Sequence, residues 1–244
     1  MTDDEDRDHR YSEGRGFEDP YGAFDLEPPE FRVDPDEVDP VDSHVVSDLL
    51  DERQIAKEDV DVESLIDVGL SYMEINRHEQ ATEAFARAAM FAEEDSPLEA
   101  EAWVNKGVAH AELEEYDEAA GSHREALRAD DRGEHAALAE TNLSYALWEL
   151  GEDDEAFYHA ERSVELDDHF PQGWYNRGFM QLERGLAEEA LRSFDNAMKL
   201  GMRSVDVYEE KARALEMLGR DEEAEEVAAH AEELREHAEE RLIE

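Results

Sequence analysis

Residues 171–204 read PQGWYNRGFMQLERGLAEEALRSFDNAMKLGMRS and decide the fold. The stretch predicts a helix, a tight turn at Gly185-Leu186, a second helix and a short connector. The same layout returns along the chain, because Gly151, Gly185 and Gly219 lie 34 residues apart. A fixed period of this length is typical of repeat architectures, in which each repeat is one small structural unit. The sequence therefore predicts an all-α solenoid.

Five copies of this unit follow one another, with short insertions near Glu94–Pro97 and Gly133–His135. The predicted units are residues 62–95, 100–133, 137–170, 171–204 and 205–238, and residues 239–244 are the end of the last helix. The predicted turns are Asn76-Arg77, Glu114-Glu115, Gly151-Glu152, Gly185-Leu186 and Gly219-Arg220.

Small residues recur at three positions in every unit. Closely packed helices need small side chains where their axes approach, because larger ones would push the helices apart. The five sets are Gly69, Ala81, Ala88; Gly107, Ala119, Ala126; Ser144, Ala156, Ser163; Gly178, Ala190, Ala197; and Ala212, Ala224, Ala231. A full set in register indicates that all five units pair their helices in the same way.

These positions resemble the tetratricopeptide repeat family, whose signature is W-x₂-L-G-x₂-Y, then A-x₃-F, then P. The matching residues are Leu65, Gly69, Tyr72, Ala81 and Phe85 in the first unit, Trp103, Gly107 and Tyr116 in the second, and Trp174, Gly178 and Phe194 in the fourth. Over about residues 62–238, the resemblance implies an α-solenoid of about five tetratricopeptide helix pairs.

The departures from the signature leave helix pairing possible. Lys106, Arg177 and Lys211 stand where leucine is usual in the family. We expect the stems of Lys106 and Arg177 to lie along apolar surface while their charges remain in water.

The N-terminal segment has a different composition. Residues 1–42 carry many acids and five of the seven prolines, with no apolar period, which predicts a disordered acidic arm. Its aromatic residues, Phe17, Tyr21, Phe24 and Phe31, are either a docking motif or solvated filler. Residues 43–58 predict a short helix that covers the first repeat, since end repeats need a cap with a polar outer face.

Charge excludes several partners and predicts a salt requirement. The chain has 70 Asp and Glu against 23 Lys and Arg, for a net charge of -47, spread over its whole length. Nucleic acid and anionic membranes would be repelled. The composition resembles cytoplasmic proteins of salt-accumulating halophilic archaea. At about 1 M salt the screening length falls to roughly 3 Å, so we expect folding to depend on salt.

Neither a secretory signal nor a membrane span is predicted. The first ten residues are charged with no apolar run after them, and no stretch approaches the roughly 20 apolar residues of a transmembrane helix. We therefore expect a cytoplasmic protein.

Catalytic and metal-binding patterns are missing from the sequence. Cysteine is absent, and there is no phosphate-binding glycine loop, H-E-x-x-H motif or nucleophile elbow. The ten histidines have no metal-ligand spacing, and we expect His123 and His159 to lie beside solvent or a helix neighbour. The many carboxylates are expected to be solvated. We therefore expect no enzymatic activity, no cofactor and no metal.

The family resemblance implies a binding groove lined by the first helix of each unit, in which an extended peptide lies. Its expected apolar and aromatic residues are Val104, Val108, Tyr145, Trp148, Tyr175, Phe179 and Leu182. Tyr145 and Trp148 have a second interpretation, namely packing between adjacent first helices. Glu74, Glu112, Glu149 and Glu183 are expected at the edge, where they disfavour acidic peptides.

One asparagine per unit, at Asn105, Asn142 and Asn176, recurs on the same wall. An amide offers a donor and an acceptor, so these side chains are able to pair with a peptide backbone of any sequence. Packing or local hydrogen bonding is the other interpretation, and both stay open here.

These features predict a protein-binding adaptor. The alternative is self-assembly through the groove or the last helix, whose apolar stripe contains Ala224, Val227, Ala228, Ala231 and Leu234. A third possibility is that the aromatic arm lies in the protein's own groove.

Overall fold

The computed structural model describes residues 60–243. The predicted disordered arm (1–42), its aromatic residues and the predicted capping helix (43–58) lie outside this range. The described part is helical and contains no strand. Its helices are α1 (Val62–Glu74), α2 (His78–Phe91), α3 (Pro97–Glu112), α4 (Tyr116–Ala129), α5 (Ala136–Glu149), α6 (Asp153–Leu166), α7 (Pro171–Glu183), α8 (Ala187–Lys199), α9 (Val205–Met217) and α10 (Asp221–Ile243).

The helices pack as five consecutive pairs, α1/α2 through α9/α10. Each odd-numbered helix after α1 also packs on the second helix of the preceding pair. Successive odd-numbered helices contact one another, so they form a continuous wall along one side of the stack. We call this surface the first-helix wall. The architecture confirms the predicted α-solenoid of five helix pairs.

The turns within the pairs are where the sequence predicted them. Gly151, Gly185 and Gly219 have φ angles of 76°, 76° and 68°, in the left-handed region that glycine enters without steric cost. Asn76 and Glu114 take the same conformation at φ 55° and 60°. The backbone N–H of the following residue bonds back across the helix end, as in Leu186 N–H to Gln181 O at 2.8 Å.

The insertion near Glu94–Pro97 builds the start of α3. The Ser96 hydroxyl accepts a hydrogen bond from the Glu99 amide at 3.2 Å, and the Glu99 carboxylate accepts one from the Asp95 amide at 2.7 Å. These reciprocal bonds satisfy donors that a helix start leaves free. Arg128 of α4 donates to Glu99 at 2.9 Å and so ties this start to the next helix.

Aromatic rings fill the space that glycine leaves in three of the pairs. A Cβ atom on Gly69 would lie 2.4 Å from Phe85, one on Gly107 would lie 2.4 Å from His123, and one on Gly178 would lie 2.7 Å from Phe194. In the third pair the corresponding residues are Ser144 and Ala160, so a larger residue on one helix is matched by a smaller one on the other. This exchange of volume keeps the interior closely packed.

Candidate peptide-binding groove

Four aromatic rings form a continuous row on the first-helix wall and at the start of α4. Tyr116 and Tyr145 meet edge to face with centroids 6.1 Å apart, and Tyr145 and Trp148 are stacked at 6.3 Å. Trp148 meets Phe179 edge to face at 5.0 Å. We call Tyr116, Tyr145, Trp148 and Phe179 the aromatic row. The row extends over three helix pairs, so it exists only because neighbouring repeats are stacked.

The rings of this row belong partly to the core and partly to the surface. Tyr145 is 41% exposed, whereas Trp148 and Phe179 are half-buried and pack against the core between the second and fourth pairs. Both interpretations of Tyr145 and Trp148 therefore apply: the rings join adjacent first helices and still offer surface. Tyr175 and Val108 are half-buried as well.

Two predicted groove residues are core residues in the structure. Val104 is 2% exposed and packs with Ala126 and Ala139, and Leu182 is 1% exposed in the core between the last two pairs. The sequence pattern placed them on the wall because they lie on first helices, but the next helix pair covers them. As a correction, we remove both from the candidate surface.

The three asparagines differ in what they contact. The Asn176 side chain donates to the backbone carbonyl of Thr141 in α5 at 3.0 Å, which is the local role that the sequence left open. Asn105 and Asn142 are half-buried, and within residues 60–243 their amides make no hydrogen bond. These two amides therefore keep their hydrogen-bonding capacity available.

Carboxylates shape the electrostatics of the wall. Burial is the main cause that raises the pKa of Tyr145, and hydrogen bonds with Glu149 and Tyr116 raise it further. Burial also raises the pKa of Tyr175 to about 12, with further contributions from the charges of Asp206, Glu210 and Glu209. The negative potential therefore extends from the aromatic row into α9.

A half-buried carboxylate lies at the α9 end of the wall. Burial raises the pKa of Glu210, although Arg213 opposes this. Arg213 donates to Glu183 at 2.7 Å and to Glu210 at 3.3 Å, so its charge is already matched by two acids.

Other cations of the first helices lie over tryptophan rings of their own helices or pair with acids on the second helix of the preceding pair. Lys106 lies 4.8 Å above the Trp103 ring, and burial lowers its pKa. Arg177 lies 5.4 Å from the Trp174 ring and donates to Glu161 of α6 at 2.8 Å. Lys211 donates to Asp195 of α8 at 2.7 Å. The charged groups of Lys106 and Arg177 therefore lie over tryptophan rings, and the Lys106 ammonium is half-buried where the sequence predicted a charge in water.

Two histidines have environments that the sequence did not specify. His123 is 1% exposed, and its Nδ1 has no hydrogen-bond partner within the described residues. His159 lies 2.5 Å from the buried carboxylate of Glu140. Glu140 occupies the repeat position that Trp174 holds one unit later, and this exchange of tryptophan for glutamate was the available signal.

One exposed connector within residues 60–243 brings three possible metal ligands together, Asp167, Asp168 and His169. All three are exposed, and His169 pairs with Asp168 at 2.6 Å. Exposed acids of this kind are solvated without a metal.

None of the helices within residues 60–243 has the length and apolar character that crossing a membrane requires.

Part of the repeat region resembles known repeat sequences. Residues 67–134 match the tetratricopeptide repeat family model. DnaJ homolog subfamily C member 7 is 32% identical over 118 residues in Mus musculus and 30% identical over 118 residues in Homo sapiens. These alignments cover 48% of this chain and 23% of each relative, so the chain matches under a quarter of those proteins.

Solved structures share the fold at low identity. MamA has a TM-score of 0.57 at 17% identity, over 71% of this chain and 97% of MamA. PilF of Pseudomonas aeruginosa has a TM-score of 0.59 at 22% identity, over 70% of this chain and 76% of PilF.

A subunit of a larger assembly has the same fold. A chain of the APC/C hetero-tetramer Cut9-Hcn1 has a TM-score of 0.62 at 19% identity, over 78% of this chain and 36% of the other. The family model matches residues 67–134, and these solved structures share the fold of stacked helix pairs with this chain.

Proposed function

We propose that this chain is a non-enzymatic adaptor that binds an extended or helical apolar segment of another protein on the first-helix wall, in a high-salt cytoplasm. Tetratricopeptide repeat proteins generally mediate protein–protein interactions, and their functions lie in the surface that each repeat array presents. The proposal therefore rests on the wall of this chain and on its charge, more than on the family.

The aromatic row is the observation that carries the proposal. Tyr145 is 41% exposed beside Trp148 and Phe179, in a row of rings held rigid by contacts across three helix pairs. Exposed aromatic side chains on a rigid support are typical anchors of protein interfaces. Burying such a ring against a partner stabilises the complex by about 2 kcal/mol.

High salt favours an apolar anchor of this kind. Attraction between exposed charges is largely screened at about 1 M salt, whereas burial of apolar surface is not weakened by screening. The free amides of Asn105 and Asn142 would add hydrogen bonds to the backbone of the bound segment.

Similar proteins give the proposal limited support. A chain of the APC/C hetero-tetramer Cut9-Hcn1 shares this fold, so a solenoid of this kind occurs in an assembly of several chains.

An affinity purification in 2 M KCl tests the proposal, with captured proteins read by mass spectrometry. We expect the variant Tyr145→Ala/Trp148→Ala/Phe179→Ala to lose a partner that the unmodified chain retains. Tyr158→Ala is the matched control, because Tyr158 is 58% exposed but lies on α6, a second helix. Circular dichroism checks that each variant is folded. Equal capture by the folded triple variant would show that the groove is not the binding site.

A further inference from the structure

The apolar residues of the first-helix wall are followed by acids at a constant spacing. Leu70, Val108, Tyr145 and Phe179 are each followed four residues later by a glutamate, at Glu74, Glu112, Glu149 and Glu183. Residues four apart lie on one face of a helix, so each apolar side chain is bordered by a carboxylate. All four glutamates are exposed.

Cations do not balance these acids. Lys106 and Arg177 lie over tryptophan rings of their own helices, and Arg177 and Lys211 pair with acids on the second helix of the preceding pair. Arg213 is shared between Glu183 and Glu210. Within residues 60–243, Glu149 forms no ion pair, and its hydrogen bond goes to the Tyr145 hydroxyl.

We infer that the bound apolar segment carries an arginine side chain whose guanidinium lies over the Tyr145 and Trp148 rings and against the Glu149 carboxylate, where the contact partly buries the ion pair and so reduces its screening by salt. This inference rests on the proposed function and specifies the chemistry of its partner. Aromatic faces attract cations through their quadrupole, and the neighbouring carboxylate supplies the hydrogen-bond acceptor and the opposite charge.

Arginine fits this place better than the alternatives. A guanidinium is planar, stacks on rings, and is more weakly hydrated than an ammonium, so it loses less on leaving water than lysine does. An acidic side chain would meet Glu149 and the carboxylates of the neighbouring pairs. A purely apolar side chain would cover the rings but partly desolvate the Glu149 carboxylate without offering it an opposite charge.

A library of random twelve-residue peptides displayed on phage provides the probe. Peptides are selected on the full chain in 2 M KCl, and selection on the folded triple alanine variant removes binders of other surfaces. Each selected arginine is then replaced by glutamine in a synthetic peptide, and affinity is measured by fluorescence anisotropy. Glu149→Gln is compared with Glu222→Gln, which removes the same charge from an exposed site on α10.

We expect the selected peptides to be enriched in arginine, and the Arg→Gln peptide to bind about tenfold more weakly, equivalent to about 1.4 kcal/mol. Glu149→Gln should remove most of that difference, and Glu222→Gln should leave it unchanged. Selected peptides without arginine enrichment, or an equal effect of Glu149→Gln and Glu222→Gln, would overturn the inference. Neither result would contradict the proposal that the groove binds a peptide. A library that yields no peptide above the triple-variant background would overturn both the groove and the inference.

Discussion

Replacement of His123 by phenylalanine should make the protein less sensitive to acid. The His123 ring occupies the space above Gly107 that Phe85 occupies above Gly69 and Phe194 above Gly178. A phenylalanine ring therefore has two precedents in the same molecule. The imidazole differs in one respect, because its Nδ1 is buried and has no hydrogen-bond partner within the described residues.

Burial sets the sign and the size of this effect. Desolvation, with a smaller contribution from nearby His110, lowers the pKa of His123 from 6.5 to about 3. The folded state therefore holds the neutral imidazole, whereas the unfolded chain takes up a proton below pH 6.5. Stability is complete above that pH and is lost as the pH falls toward about 3. Between pH 7 and pH 5 the loss amounts to about 2 kcal/mol.

Urea unfolding in 2 M KCl, followed by circular dichroism at pH 7, 6 and 5, measures this loss. His123→Phe should lose about 2 kcal/mol less than the unmodified chain over this range. His169→Gln removes an exposed imidazole and is measured in parallel as the control. Repeat arrays need not unfold in one step, so hydrogen exchange of the α3 and α4 amides provides a local measurement. Parallel losses in the unmodified chain and in His123→Phe would refute the reasoning.

Two further predictions concern packing and salt. Gly107→Ala should destabilise the protein by about 1–3 kcal/mol because the new methyl group would lie 2.4 Å from His123. A Cβ atom at Gly121 on α4 would have no neighbour within 4 Å, so Gly121→Ala should stabilise the protein by about 0.5–1 kcal/mol. If urea unfolding showed that both substitutions change the stability in the same direction, the packing argument would be contradicted. Because the net charge of -47 makes the folded chain repel itself, the midpoint of thermal unfolding should rise when KCl is increased from 0.1 to 2 M. An unchanged midpoint would show that repulsion between the acids does not limit stability.

The solenoid was predictable because its signals are local and repeated. Gly151, Gly185 and Gly219 mark turns through a backbone conformation that other residues rarely adopt, and small residues mark the close approach of paired helices. The wall was harder to predict because burial there depends on the neighbouring pair. Periodicity assigns Val104 and Leu182 to first helices, but only the stacking of the next pair shows that they are covered.

Polar contacts between helices could not be predicted from the sequence either. The Asn176 amide reaches the Thr141 carbonyl of the preceding first helix, 35 residues away, and the Glu140–His159 contact joins the two helices of one pair. Both contacts depend on helix rotation, which a repeat pattern defines less sharply than it defines turns. His123 was expected beside solvent or a helix neighbour, and the structure buries it completely.

The end face of the last described pair bears on the self-assembly alternative. Tyr175, Leu182 and Met198 of the fourth pair pack in the core with the fifth pair. The residues 34 positions later, Glu209, Glu216 and Glu232, are exposed acids. Stacking a second copy on this face would bury three carboxylates, of which Glu209 and Glu232 share the single cation Arg235, and burying the unmatched negative charge would be costly.

The apolar stripe of α10 does not compensate for these acids. Ala224 and Ala231 are 3% and 2% exposed, because they already pack against α9 within their own pair, and Leu234 is 38% exposed. The surface that remains around Leu234 is a shallow hollow that also contains Arg203, Tyr208, His230, Glu233 and His237. The aromatic row, in contrast, combines exposed ring surface with a rigid support across three pairs. The physical balance therefore favours binding of a different protein at the groove over association of this chain with itself.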